Sequence, residues 1–77
     1  MKHASMLQLL TDALDAEGGI EVPTKRIAAR AGLLREHIDH SMLATIRQHL
    51  YAMMLWGILE RPVRHGRELL WTFKDQR

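Results

Sequence analysis

Apolar residues recur at helical spacing over three stretches of the chain and alternate over two, with Gly or Pro close to each change of period. Ser5-Met-Leu-Gln8 has the S-x-x-Q spacing of a capping box. Met6, Leu9, Leu10, Ala13 and Leu14 then mark one helix face until Gly18-Gly19, which predicts a first helix over Met6 to Glu17. Ile20-Glu21-Val22 alternates apolar, polar, apolar ahead of Pro23 and reads as a short edge strand. Thr24 stands where it would cap a second helix, Lys25 to Ala31, with Ile27, Ala28 and Ala31 on one face and Gly32 as its stop.

From Leu33 to Trp56 there is neither Gly nor Pro, and Leu34, Ile38, Met42, Ile46, Leu50 and Met53 form one stripe at helical steps. The stripe predicts either one helix about 33 Å long at ~1.5 Å per residue, or two, with Ser41 capping a helix that begins at Met42. After Gly57 the period changes. Ile58 to Val63 reads as a strand whose Pro62 places it at an edge, Arg64 to Arg67 as a turn, and Glu68 to Lys74 as a second strand. In that strand Leu69, Trp71 and Phe73 share one face, and Leu70, Thr72 and Lys74 share the other. The expected class is mainly α with a small β-hairpin. More narrowly it is a winged helix-turn-helix, with three helices, the third long or split, and a two- or three-stranded antiparallel sheet.

Length and charge sharpen this picture. Seventy-seven residues suit one domain, residues 1–77, whose thin core would gain from a second copy. The absence of cysteine excludes a disulfide framework, a thiolate zinc site and a cysteine nucleophile. The longest apolar run, Tyr51 to Gly57, is too short to span a bilayer, and the first residues do not read as a secretory signal, so a cytoplasmic, nucleoid-associated location is expected. The formal charge of +2 is unevenly spread. Residues 1–23 hold one lysine against four acids, a balance of −3, and residues 24–77 hold ten Lys/Arg against five acids, a balance of +5. An acidic front and a basic remainder suit a protein that lays one face on a polyanion.

The candidate chemistry follows from that placement. A major groove about 12 Å wide admits a helix whose outward side chains hydrogen-bond base edges, with cations on either side of it for phosphates. Ser41, Ala44, Thr45, Arg47 and Gln48 lie off or beside the apolar stripe as base readers. Thr24, Lys25 and Arg26 at the start of the second helix, Arg30 and Arg35 around the turn, and Arg61, Arg64, His65 and Arg67 around the hairpin tip are the phosphate candidates. Tyr51, Leu55 and Trp56 form an apolar excess that predicts a homodimer or partner surface. Trp71 and Phe73 read as a core lid rather than a base-stacking platform. His37 and His40 lack the acidic or thiolate company of a metal site. Asp39-His40-Ser41 are consecutive helix residues about 100° apart, which cannot hydrogen-bond in series. No catalytic residue, metal or cofactor is expected.

Thr24-x-x-Ile27-Ala28-x-x-Ala31-Gly32-Leu33, followed by Leu50-x-x-Met53-x-x-x-Gly57-Ile58-Leu59-Glu60-Arg61, resembles the signature of bacterial winged-helix transcription regulators over about residues 20 to 74. The ending from Gly57 to Arg67, with Trp71 and Phe73, is similar to the small fimbrial-operon regulators of the PapI and FaeA type. The resemblance implies a short DNA-binding transcription regulator acting beside a second, larger DNA-bound regulatory protein. With the groove-sized helix and the apolar excess above, the expected partners are double-stranded DNA and a second copy of the chain. The interval from Ile27 to Gly57 exceeds the usual helix-turn-helix by roughly two helical turns around Leu34 to Ser41. Those turns would extend the third helix, form a helix of their own or make a dimer surface. Two other readings share the pattern: a winged-helix protein-interaction module, and a DNA-binding component of a plasmid or phage replication or partition system.

Overall fold

A computed structural model describes residues 5–33 and 40–74, with the side chain of His40 outside the description. Its elements run α1 (Met6–Ala16), β1 (Val22–Pro23), α2 (Thr24–Arg30), α3 (His40–Leu55), β2 (Val63–His65) and β3 (Glu68–Trp71). The strands form one antiparallel sheet in the order β1-β3-β2, so the hairpin strand β3 is central and the winged-helix class is met. Arg35 and the Leu34–Ile38 part of the apolar stripe lie outside the described residues. Ser41 is the second residue of α3 and does not cap it.

Local chemistry accounts for the helix limits. The Ser5 hydroxyl accepts from the Gln8 backbone N–H at 3.1 Å, but Gln8 donates its amide to Asp12 one turn on at 2.9 Å, so only half of the capping box forms. The three C-termini share one hydrogen-bond pattern. At the end of α3, Gly57 N–H donates to Met54 O at 3.0 Å and Ile58 N–H to Met53 O at 2.9 Å, the paired bonds of a Schellman motif. The same pair closes α1 through Gly18 and Gly19, and α2 through Gly32 and Leu33. Gly57 has φ +85°, and a Cβ there would meet nothing within 4 Å, so glycine is required by backbone conformation and not by space.

The core lies between the helices and one face of the sheet. Leu10 and Leu14 come from α1, Ile27 and Ala28 from α2, and Leu43, Ile46, Leu50 and Met53 from α3, with Val22, Leu59 and Trp71 closing it. Leu69 and Phe73 pack against this cluster beside the fully buried Trp71, as their shared strand face predicts.

Two local expectations are corrected. Thr24 does not cap α2. Pro23 holds the cap position and Thr24 is the first helical residue, buried, with its hydroxyl turned inward. That hydroxyl accepts from the Trp71 indole N–H at 2.8 Å and donates to the Leu69 carbonyl at 3.3 Å. A buried indole N–H needs an acceptor, and this need, arising 47 residues away, outweighs the local capping preference.

The strand expected over Ile58–Val63 is also broken. Leu59 bridges Phe73, whereas Val63 pairs with Leu70. Glu60, Arg61 and Pro62 therefore face only Trp71 and Thr72, the extra-residue count of a β-bulge at a proline that has no N–H to give to the ladder. The turn is two residues, Gly66-Arg67, since His65 already pairs with Glu68. Gly66 alone of the two has positive φ, +64°, the signature of a type II′ hairpin.

Candidate nucleic-acid interface

Three separate segments converge on one cleft of about 390 Å3. The start of α2 supplies Lys25, α3 supplies Leu43, Arg47 and Tyr51, and the hairpin, or wing, supplies Arg64, Arg67, Glu68 and Leu69. Four cations thus face one carboxylate. None of Lys25, Arg47, Arg64 and Arg67 makes an ion pair or a side-chain hydrogen bond with another described residue. Unneutralised cations from three elements repel one another, and an anion in the cleft relieves that repulsion.

The other expected phosphate contacts separate into groups. Arg26 and Arg30 turn to the opposite side of α2, where both meet Glu17 at the end of α1, at 3.5 and 2.9 Å. One carboxylate thus offsets part of the charge of two exposed arginines. Thr24 lines the wall of the cleft, and its hydroxyl is used in both directions by Trp71 and Leu69, so its one proton is already given to the Leu69 carbonyl. With seven residues, α2 brings the Lys25 side chain to the cleft, and its own helix end is not a site. Arg61 lines a neighbouring cleft of about 430 Å3 with Met54 and Pro62; Tyr51, Arg64 and Leu69 belong to both. His65 is exposed on β2 outside both clefts. Arg35 lies outside the described residues.

Ser41, Ala44, Thr45, Arg47 and Gln48 are all exposed on α3. At about 100° per residue they do not form one narrow patch. Ser41, Ala44 and Gln48 stand opposite the buried Ile46 and Leu50, Arg47 turns toward the wing, and Thr45 turns away from it. The Thr45 hydroxyl donates to the Ser41 carbonyl at 3.0 Å, which leaves it available as an acceptor.

The apolar trio divides. Leu55 and Trp56 are 78% and 65% exposed. Tyr51 is 40% exposed, and its ring meets Trp71 edge to face at 5.2 Å and 82°. It belongs to the cationic cleft, a position that sequence reasoning assigned to a partner surface. The signal was present in the spacing, because Tyr51 follows Arg47 by four residues and so shares its side of the helix. Among the described residues there is no group of three or more His, Asp or Glu that could hold a metal, and no helix long and apolar enough to cross a membrane. No protein-family model, curated protein sequence or solved structure matches the chain.

Proposed function

We propose that the protein is a sequence-specific double-stranded DNA-binding transcription regulator, with α3 in the major groove and the wing on the adjacent sugar-phosphate backbone. One observation carries the reading: Lys25, Arg47, Arg64 and Arg67, drawn from three segments, line a single cleft without internal partners. Cations that serve only as solvated surface have no reason to converge, whereas phosphate recognition requires it. The exposed Ala44 and Gln48 suit the base-facing side, since a small residue permits close approach and an amide reads base edges in pairs.

The test is fluorescence anisotropy of a labelled 20-bp duplex titrated with protein between about 50 and 200 mM salt. Binding should fall steeply with salt, and Arg64→Ala with Arg67→Ala should flatten the log–log slope by up to about 2 for every sequence. An unchanged slope in the double variant sinks the wing assignment, and no binding at the lowest salt sinks the whole reading. Selection from a random DNA pool then gives the half-site and, through half-site spacing, the number of subunits.

The exposed Leu55 and Trp56 favour a second copy of the chain as an additional partner and keep a protein-interaction module as the second reading. A module of that kind would show no retention on heparin or duplex DNA at any salt. A role in plasmid or phage replication or partition uses the same chemistry, and the selected DNA site distinguishes it.

A further inference from the structure

Tyr51 stands apart from the other hydrogen-bonding side chains in the cleft, which are charged or, in Thr24, already bonded. It is uncharged, it is 40% exposed, and its hydroxyl has no hydrogen-bond partner among the described residues. Its ring is held where the arginines are not. One edge contact, at 5.2 Å, joins it to Trp71, which is itself fully buried and tied to Thr24 by the indole hydrogen bond. A phenol with two rotatable bonds, braced in this way, loses little freedom when it binds, whereas each arginine must order a long chain. Its position is also particular. Tyr51, Arg64 and Leu69 are the residues common to the cleft that holds Lys25, Arg47 and Arg67 and to the cleft that holds Arg61. A backbone running along α3 under the wing would pass Tyr51 between the two sets of cations.

We infer that the Tyr51 hydroxyl donates a hydrogen bond to a phosphodiester oxygen and sets the register of the nucleic-acid backbone against α3, while the flanking cations supply charge without fixing position. The inference rests on the DNA-binding reading proposed above and assigns a residue that the reading does not need. An uncharged donor neutralises no phosphate and releases no counterion, so its removal must leave the salt slope unchanged.

The experiment compares wild-type protein, Tyr51→Phe and the Arg64→Ala/Arg67→Ala double variant. Each is titrated into two labelled 20-bp duplexes of unrelated sequence at four salt concentrations, with thermal melts run alongside. Tyr51→Phe keeps the ring and its Trp71 contact, so its Tm should equal that of the wild type. Its affinity should fall about tenfold on both duplexes, at an unaltered slope. Equal affinity for Tyr51→Phe and wild type overturns the inference while the arginine result still supports DNA binding. A loss on one duplex only makes Tyr51 a base contact and also overturns it. If the wild-type protein binds neither duplex, the DNA reading falls first and the inference falls with it.

Discussion

Replacing Thr24 with Val tests whether this residue is structural, as its burial states, or a ligand for phosphate, as its place in the sequence predicts. Val keeps the shape and the β-branch and removes only the hydroxyl. Two bonds disappear: the 2.8 Å bond from the Trp71 indole and the 3.3 Å bond to the Leu69 carbonyl. The first is the costly one. Trp71 is fully buried, and an unpaired N–H there incurs a desolvation penalty of about 1–3 kcal/mol. The second bond is long, and its acceptor is only partly buried, so its loss adds a few tenths of a kcal/mol at most. Exchanging a hydroxyl for a methyl in an apolar site returns roughly 0.8 kcal/mol. The balance is a destabilisation of about 1–2 kcal/mol. For a chain of 77 residues this lowers Tm by roughly 5–15 °C.

Urea titration at 15 °C with Trp fluorescence measures the loss directly, and Thr24→Ser, which keeps the hydroxyl, should lose less than Val. With Trp71→Phe as background the indole donor is gone, so Thr24→Val should cost about 1 kcal/mol less there than in the wild type. A Val variant as stable as the wild type would refute the account of the buried bond. A variant of full stability with weakened DNA binding would restore the phosphate role.

Other outcomes follow from features described above. Gly57→Ala forces a Cβ onto a backbone at φ +85° in open space, so it should cost about 1 kcal/mol by denaturant titration, and Gly57→Asn should cost less. Leu50→Ala at the fully buried centre of α3 should cost about 2–5 kcal/mol, measured in the same way, and a loss under 1 kcal/mol would contradict the core assignment. Glu17→Gln breaks ion pairs whose arginines are more than half exposed, so the change should stay below about 1 kcal/mol and fade in 0.5 M salt, as differential melts would show. Trp56→Lys should leave the monomer melt unchanged and abolish any concentration-dependent association seen by sedimentation equilibrium.

Legibility in the sequence divides by range of interaction. Helix ends were readable because a Schellman motif is decided within six residues, and Gly18, Gly32 and Gly57 announce it unaided. The inward face of β3 was readable because alternation is intrinsic to a strand, and Leu69, Trp71 and Phe73 obey it. Thr24 misled because its local environment is that of a cap, and only a partner 47 residues away gives its hydroxyl another task. Arg26 and Arg30 looked equivalent to Lys25. The packing of α1 against α2 brings Glu17 to the first two and leaves the third unpaired, and no spacing rule carries that information. Hairpin register failed at Pro62 for a related reason: the sequence marks a weak point in the ladder, but where the extra residue is absorbed depends on the strand opposite.

The bracing of β3 bears on how any duplex would be accommodated. Leu70 pairs on both sides, Trp71 pairs with Val22, and the tryptophan is locked into the helical body, so the hairpin is anchored at its root. Arg64, His65, Glu68 and Leu69, by contrast, pair only within the hairpin. On the DNA-binding reading proposed here, a wing rooted in this way would leave much of the shape adjustment to the duplex. The duplex would then bend or narrow, and because that deformation costs different amounts for different steps, the stiffness of base pairs the protein never touches would become part of what it selects.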